Sequence, residues 1–180
     1  MKLTLESLYK DHDNLRRIIC LLEQSLIDIY READRNYPMI QRILAYIHDY
    51  PARVHHPAED AVYSVIFKKG VSNSKFREDV NTLMKEHSEI EGLIRNALKA
   101  VGPMLVSTSP DIADIGDKLS ILINRQRAHL LFEEMNIYPH IAEYLDNEDW
   151  EKISTLIPDY EDPIFGEKVR EEYERIFKAL

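Results

Sequence analysis

Apolar side chains recur along this chain at alternating spacings of three and four, beginning with Leu5, Leu8, His12, Leu15, Ile19, Leu22, Leu26 and Ile29. Residues so spaced share one stripe of an α-helix, so Thr4 to Arg31 is predicted as an amphipathic helix. A histidine occupies a place in that stripe. A polar break at Glu32 to Asn36 precedes a second helical stretch that ends at Lys68-Lys69-Gly70, where cations and a glycine form a stop signal. Pro51 and Pro57 fall inside this stretch and are expected to kink it, because neither has an amide hydrogen to donate.

Ser72 to Ser74 can cap a third helix, whose stripe reads Val80, Leu83, His87, Ile90, Ile94, Ala97 and Val101 and stops at Gly102-Pro103. Ser109 as N-cap and Pro110 as first helical residue open a fourth, with Ile115, Leu119, Leu122, Gln126, His129, Glu133, Ile137, His140 and Tyr144 on its stripe. Long helices joined by short loops predict an all-α, antiparallel up-down-up-down four-helix bundle over residues 1–146. Residues 147–180 read as a helical extension. Trp150, Ile153 and Ile157 mark one short helix, and Asp162-Pro163 starts another carrying Ile164, Phe165, Val169, Tyr173, Ile176, Phe177 and Leu180. The extension is expected to pack on the bundle or to form a homodimer contact.

Composition narrows the function classes. With 44% hydrophobic residues the chain can bury a core of its own, yet no run approaches the roughly 18 apolar residues of a membrane span. A soluble, cytoplasmic protein is expected. A formal charge of −9 disfavours nucleic acid and anionic membranes as partners, since both are bound through clustered Lys and Arg. The one cysteine, Cys20, lies in the apolar run IICLL and is expected to be a buried thiol.

The candidate chemistry is a repeat. His55-His56-Pro57-Ala58-Glu59-Asp60 and His129-Leu130-Leu131-Phe132-Glu133-Glu134 each read H-x-x-x-E followed by an acid. Residues four apart share a helical face, so imidazole and carboxylate can converge from one rigid element. With turns placed near Asp34, Val71 and Val106, His12 and His55 lie 22 and 21 residues from the first, and His55 and His87 each 16 from the second. His87 and His129 lie 19 and 23 residues from the third. At about 1.5 Å per residue the largest mismatch is roughly one helical turn, so each helix brings a histidine to the same slice. Four imidazoles and two carboxylates there can surround two metal ions, with both glutamates bridging and room left for a bridging oxygen species and an exogenous ligand. Such donors suit iron or manganese and tolerate zinc. Without metal, ionised carboxylates in a dry core are costly.

The segments LYKDHDNLRR, RVHHPAEDAVY, EHSEIEGLI and HLLFEEMNIYP together resemble the hemerythrin-like, or HHE cation-binding, family over roughly residues 1–146. The resemblance implies two iron ions, with His12, His55, Glu59, His87, His129 and Glu133 at the ligand positions. Two departures matter. Oxygen-carrying members have a second histidine four after the one on the third helix, where this chain has Glu91. They also have an aspartate five after the fourth-helix histidine, where Glu133 and Glu134 stand here at four and five. The resemblance therefore points toward sensing or binding oxygen, nitric oxide or peroxide. The alternative is an enzyme of oxidative or nitrosative stress that turns over peroxide or nitric oxide or donates iron for iron-sulfur repair.

Flanking residues have plainer readings. On an ideal helix His56 points about 100° away from His55, which favours a supporting or surface role over ligation. Glu91 reads as solvated rather than as an extra ligand, and Asp60 and Glu134 as solvent-facing or as orienting an imidazole. Tyr9, Tyr63 and Tyr138 either line the pocket or pack, and His48 and His140 read as structural.

Overall fold

The computed structural model describes residues 3–31, 35–105, 111–158 and 160–180. Most of these residues are helical, with no strand among them. Helix α1 spans Leu5–Tyr30, and Thr4 caps it by accepting from the Ser7 amide while the Ser7 side chain returns the bond. Helix α2 spans Tyr37–Tyr50 with Asn36 as its cap, and α3 spans His56–Lys68. Gly70, at φ +77°, takes the left-handed conformation that closes α3 at the expected stop signal. Helix α4 covers Ser74–Val101 behind the Asn73 cap, and α5 covers Ile112–Asn136. The cap of α5 is Asp111, which accepts from the Asp114 amide. Ser109 and Pro110, like the turn points Asp34 and Val106, lie outside the described residues.

Three expectations about the backbone change. First, α2 and α3 are joined through a π-helical turn, Pro51–His55, in which the His56 amide donates to the Pro51 carbonyl five residues back. Pro51 and Pro57 each deny a donor to the carbonyl four residues earlier and crowd it, and the wider turn relieves both conflicts while the chain remains helical. Second, the fourth helix stops at Asn136, and a separate α6 runs Tyr138–Tyr144. Pro139 explains the break, since an uninterrupted helix would drive its ring into the Met135 carbonyl. Third, no helix starts at Asp162. Its carboxylate caps a turn by accepting from the Ile164 and Phe165 amides, and beyond the short α7, Asn147–Ser154, helix resumes only at a 3-10 turn, Glu171–Tyr173, that leads into α8, Glu174–Ala179.

Helix α5 packs on α4 and α1, and α2 packs on α4. Two apolar clusters result. One gathers Leu15 to Ile29 of α1, Tyr37 to Tyr50 of α2, Ile90 to Val101 of α4 and Ile115 to Leu130 of α5. The other gathers Leu8, Ala58, Val62, Tyr63 and Ile66 with Phe76, Val80, Leu83, Ile137, Tyr138 and Ile141. The extension contributes to both: Ile153 of α7 joins the second cluster, whereas Ile164, Tyr173 and Ile176 join the first. Tyr46 donates 2.9 Å to Asp162, tying this tail to α2. Cys20 is exposed rather than buried. Ile18, Ile19 and Leu22 take the inward positions around it, leaving its sulfur 3.9 Å from the Arg127 guanidinium. No helix among the described residues is long and apolar enough to cross a membrane.

Candidate metal centre

Between the two apolar clusters lies a polar layer. Along α1 His12 separates Leu8 from Leu15, and along α4 His87 separates Leu83 from Ile90. His55 and Glu59 follow Tyr50, and Glu133 lies between Leu130 and Ile137. His12, His55, Glu59 and Glu133 are fully buried and His129 nearly so, in surroundings otherwise apolar. The structure thus brings together all six residues singled out by level and spacing.

Their atoms converge closely. His12 Nε2 lies 3.1 Å from His55 Nε2. Glu59 reaches both ends of the layer, with Oε1 3.6 Å from His12 Nε2 and Oε2 3.5 Å from the Nε2 atoms of His55 and His87. Glu133 does likewise, its Oε2 3.4 Å from His12 and His129 Nε2 and its Oε1 3.7 Å from His87 Nε2. Two donor groups result, each with its ligand atoms within 4.8 Å of one another: His12, His55, Glu59 and Glu133, and His56, His87 and His129.

Two of the four outer nitrogens are hydrogen-bonded to carboxylates, and the other two have a carboxylate close by. Glu134 accepts from His12 Nδ1 at 3.0 Å while pairing with Arg16, and Glu86 accepts from His129 Nδ1 at 3.0 Å with Arg125 3.1 Å away. Asp60 stands 3.5 Å from His87 Nδ1 and Asp11 3.5 Å from His55 Nδ1, and Asp11 is itself held by Tyr50. A carboxylate on Nδ1 fixes the ring and leaves Nε2 facing inward, an arrangement common around protein metal sites. Glu134 therefore orients an imidazole, whereas Asp60 stands beside one without a hydrogen bond to it. Glu86 and Asp11 were not legible as partners, because nothing in their own spacing distinguishes them from other surface acids.

The electrostatics describe a site short of positive charge. Burial lowers the pKa of His87, but Asp60, Glu133 and Glu59 outweigh it and push it up to about 12. His12 behaves similarly: burial opposes protonation, and Glu133, Glu134 and Glu59 raise its pKa well above the usual value. Burial raises the Glu59 pKa, yet the surrounding His55, His12 and His87 hold it well below normal. Protonated imidazoles thus carry the balancing charge in the ion-free protein. Even so, Glu59 Oε2, His87 Nε2, His129 Nε2 and Glu133 Oε2 are buried without a hydrogen-bond partner. Orphaned buried donors and acceptors are costly, and four within one buried layer fit bound cations.

The remaining residues sort plainly. Tyr138 donates to Glu59 Oε1 at 2.6 Å and lies 2.8 Å from His12 Nε2, while Tyr63 donates to Glu133 Oε1 at 3.3 Å. Tyr9 does not line the layer: it is 36% exposed and packs edge-on against Tyr138. Glu91 pairs with Arg95 at 3.2 Å, partly in solvent. His140 packs on Phe76, and His48 is half-buried on α2. His56 departs from its predicted direction. Its side chain is buried, stacked on His87 with centroids 4.1 Å apart, because the wide turn before it brings consecutive histidines inward. Burial, then the charges of His87 and His55, hold its pKa well below the usual value.

Fold and site together define a class: a helical protein with a buried histidine-carboxylate cluster of the kind that holds cations. A family model described as the hemerythrin HHE cation-binding domain matches residues 3–141, and the chain belongs to that family. No curated protein and no solved structure matches it.

Proposed function

We propose that the chain holds two iron ions within an up-down-up-down four-helix bundle and uses them to bind or sense oxygen, nitric oxide or peroxide. The topology is supported by the apolar clusters: residues of the first follow the site histidine on α1 and α4 but, apart from Leu130, precede it on α5 and on α2 with its π-helical turn. Adjacent long helices in sequence would then run in opposite directions. Four orphaned buried atoms on Glu59, His87, His129 and Glu133 carry the metal reading. Manganese fits the same donors, and zinc is tolerated.

Iron would supply a redox-active Lewis acid with positions for an exogenous ligand. The protein's part is to bind, orient and exclude water. His12, His55, His87 and His129 offer Nε2, with Glu134 and Glu86 hydrogen-bonded behind His12 and His129 and with Asp11 and Asp60 3.5 Å behind His55 and His87. Glu59 and Glu133 lie between the two halves of the layer, as bridging carboxylates would. The flanking clusters keep water out, and Tyr138 presents a hydroxyl proton beside His12 and Glu59.

Tyr63 and Tyr138, whose hydroxyls are buried against the carboxylates, also favour a second reading in which they deliver protons during turnover of peroxide or nitric oxide. Loading the purified chain with ferrous iron, then adding oxygen, nitric oxide or peroxide, separates the two. Binding predicts a change in the visible spectrum without sustained consumption, sustained consumption supports the enzyme, and an iron-loaded chain indifferent to all three contradicts both.

A further inference from the structure

Resting on the di-iron reading above, we infer that His56 is a direct metal ligand, supplying a fifth imidazole from the π-helical turn. The observation is a group of three buried nitrogens, one each from His56, His87 and His129, all within 4.8 Å of one another. The His56 side chain is 6% exposed, and its Nδ1 is buried without a hydrogen-bond partner. Its ring lies parallel to His87 at 4.1 Å and edge-on to His129 at 6.1 Å. Stacked on one ring and edge-on to the other, His56 makes no hydrogen bond to either through Nδ1, so packing alone leaves this nitrogen unsatisfied. A cation among the three nitrogens, with the His56 ring turned out of its stack on His87 to aim a nitrogen at it, would satisfy this atom.

The backbone explains how two neighbouring residues serve one centre. In an uninterrupted α-helix His55 and His56 would diverge by about 100°. Here the turn between Pro51 and His55 is wider, and the two rings lie with centroids 5.7 Å apart, both buried. Insertions of this kind recur where a helix must aim an extra side chain at a site. Glu91, at the place of a second histidine on α4, turns instead to Arg95. The imidazoles then divide unequally, with His56, His87 and His129 on one side and His12 and His55 on the other. Tyr138 stands beside the two-imidazole side.

The test compares wild type, His56→Phe and His56→Ala by titration of the metal-free chain with cobalt(II) against a chelator. Phenylalanine keeps an aromatic ring stacked on His87 but cannot ligate. If His56 ligates, wild type takes up two ions, and both variants bind one of them at least about 100-fold more weakly, the upper end of what losing a mere outer partner costs. If His56 only packs, His56→Phe binds both ions as wild type does, which overturns the inference and leaves the di-iron reading standing. A wild-type chain that takes up fewer than two ions fails that reading itself, and the inference with it. A measurement without any variant is also available. In the zinc-loaded wild-type chain with 15N-labelled histidine, ligation predicts a metal-bound nitrogen shift for His56. A free imidazole pattern there contradicts it.

Discussion

The Tyr138 hydroxyl donates 2.6 Å to Glu59 Oε1, deep in a layer where every other polar contact of that carboxylate is with a histidine. Burial, with Glu59 and Glu133 nearby, raises the tyrosine pKa well above its ordinary value, so the proton stays on oxygen. Tyr138 is therefore a fixed donor at the edge of the centre. Tyr138→Phe should leave iron content unchanged and weaken azide, used as a stand-in exogenous ligand, by about tenfold, the worth of one such hydrogen bond. Azide titration of the iron-loaded chain checks this, and equal affinities would remove Tyr138 from the ligand pocket.

Glu134 and Glu86 hold His12 and His129 from behind. Glu134→Gln and Glu86→Gln keep a side chain of the same shape while weakening the grip on Nδ1. Each is expected to lower metal affinity by about 10–100-fold with little effect on helicity. Competition with a chelator measures it; affinity equal to wild type in both would show that the rings are oriented by packing alone.

In the metal-free protein, pH should act in opposite directions on either side of a window. His87, raised to about 12, stabilises the fold fully below its ordinary value of 6.5, and that contribution fades as pH rises through about 12. Glu134, lowered to about 2 chiefly by its bond to His12, stabilises above 4.5 and loses its contribution as pH falls through about 2. Denaturant midpoints of the metal-free chain should therefore peak between about 4.5 and 6.5 and decline on both sides. Metal uptake at neutral pH should also displace the protons of His12 and His87. Calorimetry in buffers of different ionisation enthalpy reads that release, and uptake without net proton release would contradict the charge balance described here.

Tyr46 and Asp162 make the buried link between α2 and the tail. Tyr46→Phe should destabilise the chain by about 1.5–3 kcal/mol, the range for a hydrogen bond to a charged group. Faster hydrogen exchange should appear at the Ile164 and Phe165 amides, which Asp162 also holds. A change within about 0.5 kcal/mol would mean that the tail is held by Ile164, Tyr173 and Ile176 alone.

Helix periodicity and spacing made most of this molecule legible. The stripes of α1, α4 and α5 set which residues face inward, and counting from the turns brought His12, His55, His87 and His129 to one level because rise per residue is nearly constant in helices. What escaped was whatever depends on a departure from the ideal helix. Prolines announced trouble at Pro51 and Pro57, but whether such strain ends in a kink or a wide turn depends on packing, and only the wide turn brings His56 inward. Pro139 broke the fourth helix although its apolar stripe continues past it. Cys20 shows the converse error, since an apolar run says little about the one residue in it that faces out. Partners such as Glu86 and Asp11 meet their histidines only through the tertiary fold.

The central claim is a two-ion centre, and elemental analysis tests it most directly. The chain purified without chelator and loaded anaerobically with ferrous iron should hold two iron ions, one for each donor group. His87→Ala should lose at least one of them. A wild-type chain that stays folded and stable while retaining no iron, manganese or zinc would contradict the account.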